Sequence, residues 1–149
     1  MSSVSQRPAR VFAMQLLYAM EITKSPVGDC VDGVLDSMEV APAMKRYGMS
    51  LVDLVQEHRE ELDSIIKERS VGWDLGRIAK LDRIILQIAL VELLYEKDIP
   101  VKVAMEESVQ IANKYSTEDS YRFINGILDL FVKNKGMLSP GESSEEKNK

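Results

Sequence analysis

Apolar residues recur along this chain at three- and four-residue intervals almost throughout, the period of one face of a helix. From Pro8, which suits a first helical position because its missing N–H is not needed there, Val11, Met14, Leu17 and Tyr18 mark a helix to about Ile22. "TKSPVGD" interrupts it, and Val31, Leu35 and Met38 predict a second helix before "APAMKRYGM". Ser50 followed by Asp53 has the spacing of a capping box. It predicts a helix opening there, with Leu51, Val55, His58, Leu62 and Ile65 on one side. "SVGWDLG" breaks the chain near its middle and predicts a boundary between subdomains of about 8–70 and 74–135. The stretch from Ile84 to Leu94 is apolar on nearly every side, the pattern of a helix buried all round. Pro100 ends the next turn, and Val101, Ala104, Ser108, Ile111 and Tyr115 form a further stripe. Ser116 and Asp119 repeat the capping-box spacing ahead of "EDSYRFINGILDLF". No useful length of strand alternation occurs, so the class is all-α. The polar stretch 139–149 is expected to be disordered.

The Asn125-Gly126 pair sits oddly in that last helix, because Asn-Gly is a strong signal for a hairpin turn. The surrounding apolar residues Ile124, Ile127, Leu128 and Phe131 do not alternate, however, and a glycine inside a helix costs only about 1 kcal/mol. At ~100° per residue, Gly126 falls roughly 160° from Ile124, and Phe123 roughly 100° from the core face. The helix is therefore expected to run through, with something approaching the bare backbone. Two readings follow. Phe123, beside Arg122 and Asp119, is a platform for an unstacked base; or Phe123 packs under a neighbouring helix and Gly126 marks a close crossing.

The bulk numbers sharpen this picture. The chain has 149 residues, 45% hydrophobic and 29% charged, with a net charge of −5, which fits one soluble domain. No run approaches the roughly 18 apolar residues of a membrane span, and "MSSVSQRPAR" lacks the apolar core of a secretory signal. Cys30 is the only cysteine, so a reducing, cytoplasmic setting is expected. Charge is unevenly spread: residues 1–28 carry Arg7, Arg10 and Lys24 against Glu21, whereas residues 29–63 carry nine acids against Lys45, Arg46 and Arg59. The acidic total disfavours strong nonspecific nucleic-acid binding by the chain alone, while leaving room for a local basic face.

Nothing in the sequence points to catalysis. It has no glycine-rich phosphate loop, no cysteine–histidine metal spacing and no nucleophile with a histidine placed to activate it. His58 lacks a second histidine and reads as a packed side chain rather than a metal ligand. Cys30 lies in an acidic context that would not lower a thiol pKa. The acids from Asp53 to Asp63 read as a solvated face, and the eight methionines as core filler. No cofactor or metal is expected.

Four segments, "ARVFAMQLLY", "LDRIILQIALVEL", "IPVKVAMEESVQIANKY" and "EDSYRFINGILD", together resemble the NusB family in order and spacing, over residues 8 to about 132. The resemblance implies a bundle of about seven helices in two packed subdomains. It implies a transcription antitermination factor that pairs with the ribosomal protein NusE and binds boxA RNA. That complex joins an antitermination assembly on RNA polymerase, notably in ribosomal RNA transcription.

Carried over by position, the resemblance implies an RNA face including Arg7 and Arg10 from the N-terminal stretch, and Asp119 and Phe123 from the start of the last helix. Lys114 and Arg122 join them by proximity and charge. "SQRPAR" is thinner than the family's usual basic run. The NusE-facing surface would include Tyr18 and Asp82, with Arg83 nearby. Tyr18 also continues an apolar stripe, and Asp82 and Arg83 also fit a solvated helix shoulder. A homodimer is compatible with the sequence, as is a monomer. A protein-binding scaffold that docks NusE or other partners without touching RNA is the second reading.

Overall fold

The computed structural model describes residues 6–70 and 79–137. Within them lie seven α-helices and no strand: α1 (Arg7–Thr23), α2 (Val27–Ser37), α3 (Pro42–Glu57), α4 (Arg59–Glu68), α5 (Lys80–Tyr95), α6 (Val101–Tyr115) and α7 (Glu118–Asn134). The all-α expectation holds. Most of "SVGWDLG" and the whole of 139–149 lie outside the described residues.

The segment from Ile84 to Leu93 is buried without interruption, so α5 is the central helix the sequence pattern required. It packs against α1, α3, α4, α6 and α7. One continuous apolar cluster runs from Phe12 and Leu16 on α1, through Leu51 on α3 and Leu86 and Leu90 on α5, to Ile124 and Phe131 on α7. Gln87, polar but 1% exposed, escapes the cost of burial by donating to the Asp63 carboxylate of α4 at 2.8 Å.

Two helix boundaries differ from the sequence expectation. "PAMKRYGM" is not a connector: α3 begins at Pro42, and Ser50 lies in its interior, so the apparent capping box opens nothing. The break falls instead at His58, whose N–H donates to the Leu54 carbonyl while its own carbonyl accepts from Leu62 N–H. At the start of α7 the cap is Thr117, one residue past the expected Ser116; its hydroxyl accepts from the Ser120 N–H at 3.2 Å.

The helix α7 runs through Gly126 unbroken. A Cβ added there would meet nothing within 4 Å, so Gly126 marks neither a break nor a close crossing. The close crossing is at Gly48 on α3, where a Cβ would lie 2.7 Å from the Phe12 ring and 2.9 Å from the Ala9 carbonyl oxygen. This glycine lets α3 seat directly on α1.

Candidate nucleic-acid interface

The head of α1 carries the two arginines that the sequence offered to RNA, and the fold treats them differently. Arg7 has a side chain 44% exposed. Arg10 is 1% exposed, because it lies on the same stripe as the buried Met14 and Leu17, four and seven residues further along α1. Its expected role as a surface phosphate contact is therefore corrected. Arg10 is a core residue whose Nε donates to both carboxylate oxygens of Glu92 on α5, at 2.8 and 2.9 Å. Tyr47 on α3 donates its hydroxyl to the same carboxylate at 2.5 Å. Burial, reinforced by the Glu92 charge, raises the Tyr47 phenol well above its ordinary pKa, so it stays a donor at any working pH.

Glu107 on α6 closes the cluster from outside. It accepts from Arg7 Nε at 2.9 Å and from Arg7 Nη2 at 2.8 Å, and its Oε1 lies 3.6 Å from Arg10 Nη1. The Arg7 hydrogen bond, aided by the charges of Arg7 and Arg10, holds the Glu107 carboxyl below the usual carboxylate range. Sequence reasoning missed Glu92, Tyr47 and Glu107. Only Glu92 had left a signal, as the lone acid in a stretch apolar on nearly every side, which demands a compensating donor.

The start of α7 supplies the second group. Asp119 and Arg122 are exposed, as is Lys114 near the end of α6, with its Nζ 5.3 Å from the centre of the Tyr115 ring. Phe123 is 3% exposed and belongs to the core. Its expected role as a base-stacking platform is corrected, because α7 packs on both α5 and α6 and so buries a wider arc than one apolar stripe. Glu107 and Lys114 are seven residues apart on α6, or ~10 Å along its axis. The candidates therefore spread along α6 rather than converge on one pocket.

The proposed partner residues also separate. Tyr18 is 41% exposed and lines an open groove of about 830 Å³ with Cys30, Val34, Lys80, Leu81 and Tyr115. Arg83 is half-buried and donates from Nη2 to Glu21 at 2.6 Å, placing α5 beside the end of α1. Asp82 is 6% exposed, so it is corrected from a partner-facing carboxylate to an internal one. It accepts from the Ser116 hydroxyl at 2.6 Å and the Ser120 hydroxyl at 2.5 Å, tying the head of α7 to α5.

No group of side chains able to hold a metal ion occurs among the described residues, and none of their helices is long and apolar enough to cross a membrane.

Comparison with known proteins gives this arrangement a context. The transcription antitermination protein NusB of Acetivibrio thermocellus is 36% identical over 143 residues, covering 96% of this chain and 99% of that one. The structure of T. maritima NusB superposes with a TM-score of 0.78 at 29% identity, covering 91% of this chain and 98% of that one. A chain from the crystal structure of antitermination factors NusB and NusE in complex with dsRNA matches with a TM-score of 0.73 at 26% identity, covering 86% and 96%. A profile described as the NusB family matches residues 7–133, and the chain belongs to that family.

Proposed function

We propose that this protein is a non-enzymatic transcription antitermination factor that binds boxA-type single-stranded RNA together with NusE. In this reading it joins the antitermination assembly on RNA polymerase in the cytoplasm, notably during ribosomal RNA transcription. The observation that carries it is the family match over residues 7–133, joined by likeness to a chain solved with NusE and RNA. Arg7, Lys114 and Arg122 face the RNA and hold phosphates, positioning the strand, with Asp119 beside them on the same face. Arg10 and Phe123 support that face from behind. Tyr18, its groove and Arg83 form the NusE-facing side. The net charge of −5 favours a basic ribosomal partner and speeds its approach.

The scaffold reading, with no RNA contact, draws on one observation: both N-terminal arginines are already matched by carboxylates. Fluorescence anisotropy separates the two. A boxA-like strand and a scrambled control are titrated with and without NusE across a salt series. Selective binding that tightens with NusE and weakens linearly in log salt supports the RNA reading. Equal, weak binding to both strands in every condition supports the scaffold. Lys114→Ala with Arg122→Ala is the informative variant, because both positions are exposed.

A further inference from the structure

Arg7 is the more exposed of the two N-terminal arginines, yet one edge of its guanidinium is occupied. Glu107 takes Nε and Nη2 in a two-point fork, at 2.9 and 2.8 Å. A phosphate would take the same edge of an arginine with the same geometry. Glu107 is itself held from two sides, because Arg10 Nη1 lies 3.6 Å from its Oε1, and its side chain is only 16% exposed. Its carboxyl, held below the ordinary range chiefly by the Arg7 hydrogen bond, remains charged at neutral pH. The two arginines are thus matched by Glu92 and Glu107, and the cluster has no formal net charge. A pair that solvent reaches contributes little net stability, so exchanging one acidic partner for another is cheap.

We propose that Glu107 is a built-in stand-in for an RNA phosphate: it occupies the anion-binding edge of Arg7 and must be displaced before that edge can hold RNA. This rests on reading the α1–α6 face as part of the RNA surface. Glu107 sets a threshold, so Arg7 engages only a strand already held by other contacts, including those of a bound partner. Nonspecific polyanions, which lack those contacts, are disfavoured.

The test uses the full chain with NusE and a boxA-like strand, followed by anisotropy across a salt series for Glu107→Gln, Arg7→Ala and the double variant. Glu107→Gln is expected to tighten binding several-fold and to steepen the log–log salt slope by about 0.7, the value for one added single-strand phosphate contact. Arg7→Ala is expected to weaken binding, and in the Arg7→Ala background the Glu107→Gln gain disappears. Thermal melts of the same samples confirm folding, since Arg10 keeps its Glu92 partner in all three. An unchanged or weaker affinity for Glu107→Gln, or a gain that persists without Arg7 as a general charge effect, overturns the proposal while boxA binding stands. Absence of selective RNA binding by the unmodified protein overturns both this proposal and the RNA reading.

Discussion

Arg10 on α1 and Glu92 on α5 form an ion pair through the single Arg10 Nε, which donates to both carboxylate oxygens, with both side chains essentially buried, at 1% and 0% exposure. It joins the first helix to the central one, and the Tyr47 hydroxyl brings α3 to the same carboxylate. Removing one partner strands a buried charge, so Arg10→Ala is expected to cost about 3–5 kcal/mol. Replacing the whole set with apolar groups of similar volume, Arg10→Met with Glu92→Leu and Tyr47→Phe, is expected to cost far less than that. Urea denaturation of both variants checks the contrast. Equal losses would show that shape rather than charge pairing dominates at this junction.

Two of the helix-interior glycines, Gly126 and Gly48, behave oppositely. Gly126 is exposed with open space at its Cβ position, so Gly126→Ala is expected to stabilise by about 0.5–1 kcal/mol. That corresponds to a rise in Tm of about 2–4 °C per kcal/mol for a domain of this size. Gly48→Ala drives a methyl into the Phe12 ring and the Ala9 carbonyl, and is expected to destabilise by about 1–3 kcal/mol. Calorimetry of the pair decides the matter. A loss of RNA affinity in the stabilised Gly126→Ala protein would place nucleic acid against that bare backbone.

These residues also show where sequence reading succeeds and where it stops. Helices with strong periodicity, α1, α5, α6 and α7, were legible because burial of one stripe needs no knowledge of the neighbour. The start of α3 was not, because "APAMKRYGM" looks like punctuation. Its glycine is explained only by Phe12 and Ala9 on another helix. The site was less legible still. Arg7, Lys114, Asp119 and Arg122 are on the surface as their charge suggests, but Arg10, Asp82 and Phe123 are inside. Each is retained there by groups distant in sequence: Glu92, the two serines, and the joint packing of α5 and α6. Periodicity reports how wide one stripe is, not how many helices will cover it.

Two carboxylates respond to pH with opposite sign. Glu107 is held below its ordinary value of 4.5, so its contribution to stability is present above that value and is lost as pH falls through the lower folded value. Glu96 is raised above 4.5 by burial, and by the charges of Glu92 and Asp98, so its ionised form opposes folding at neutral pH. Glu96→Gln is therefore expected to stabilise the fold slightly at pH 7, by less than about 1 kcal/mol after solvent screening, and so to raise Tm. The gain should vanish on acidification, as Glu96 of the unmodified protein takes up its proton. Melting curves from pH 7 to 4 test this, and a gain independent of pH would remove charge repulsion as its cause.

Asp82 distinguishes a latch from a docking residue. Its two oxygens accept from Ser116 and Ser120, and it is nearly out of reach of any partner. Asp82→Ala removes two hydrogen bonds to a charged acceptor, while Ser116 and Ser120 keep each other and Thr117 as partners, and is expected to cost about 1–2 kcal/mol. Exchange of amides in the first turns of α7 should accelerate most. Tyr18 makes the opposite case: it is exposed on a groove wall, so Tyr18→Ala is expected to leave Tm nearly unchanged. If the groove receives NusE, that same change should weaken NusE binding by tenfold or more, about 1.4 kcal/mol, as truncated aromatic anchors commonly do. Calorimetric titration of NusE into each variant, with hydrogen exchange on the same proteins, separates the roles. Asp82→Ala should alter exchange first, with any loss of NusE affinity following the fraying of α7. A Tyr18→Ala protein that binds NusE normally would move the partner surface away from this groove.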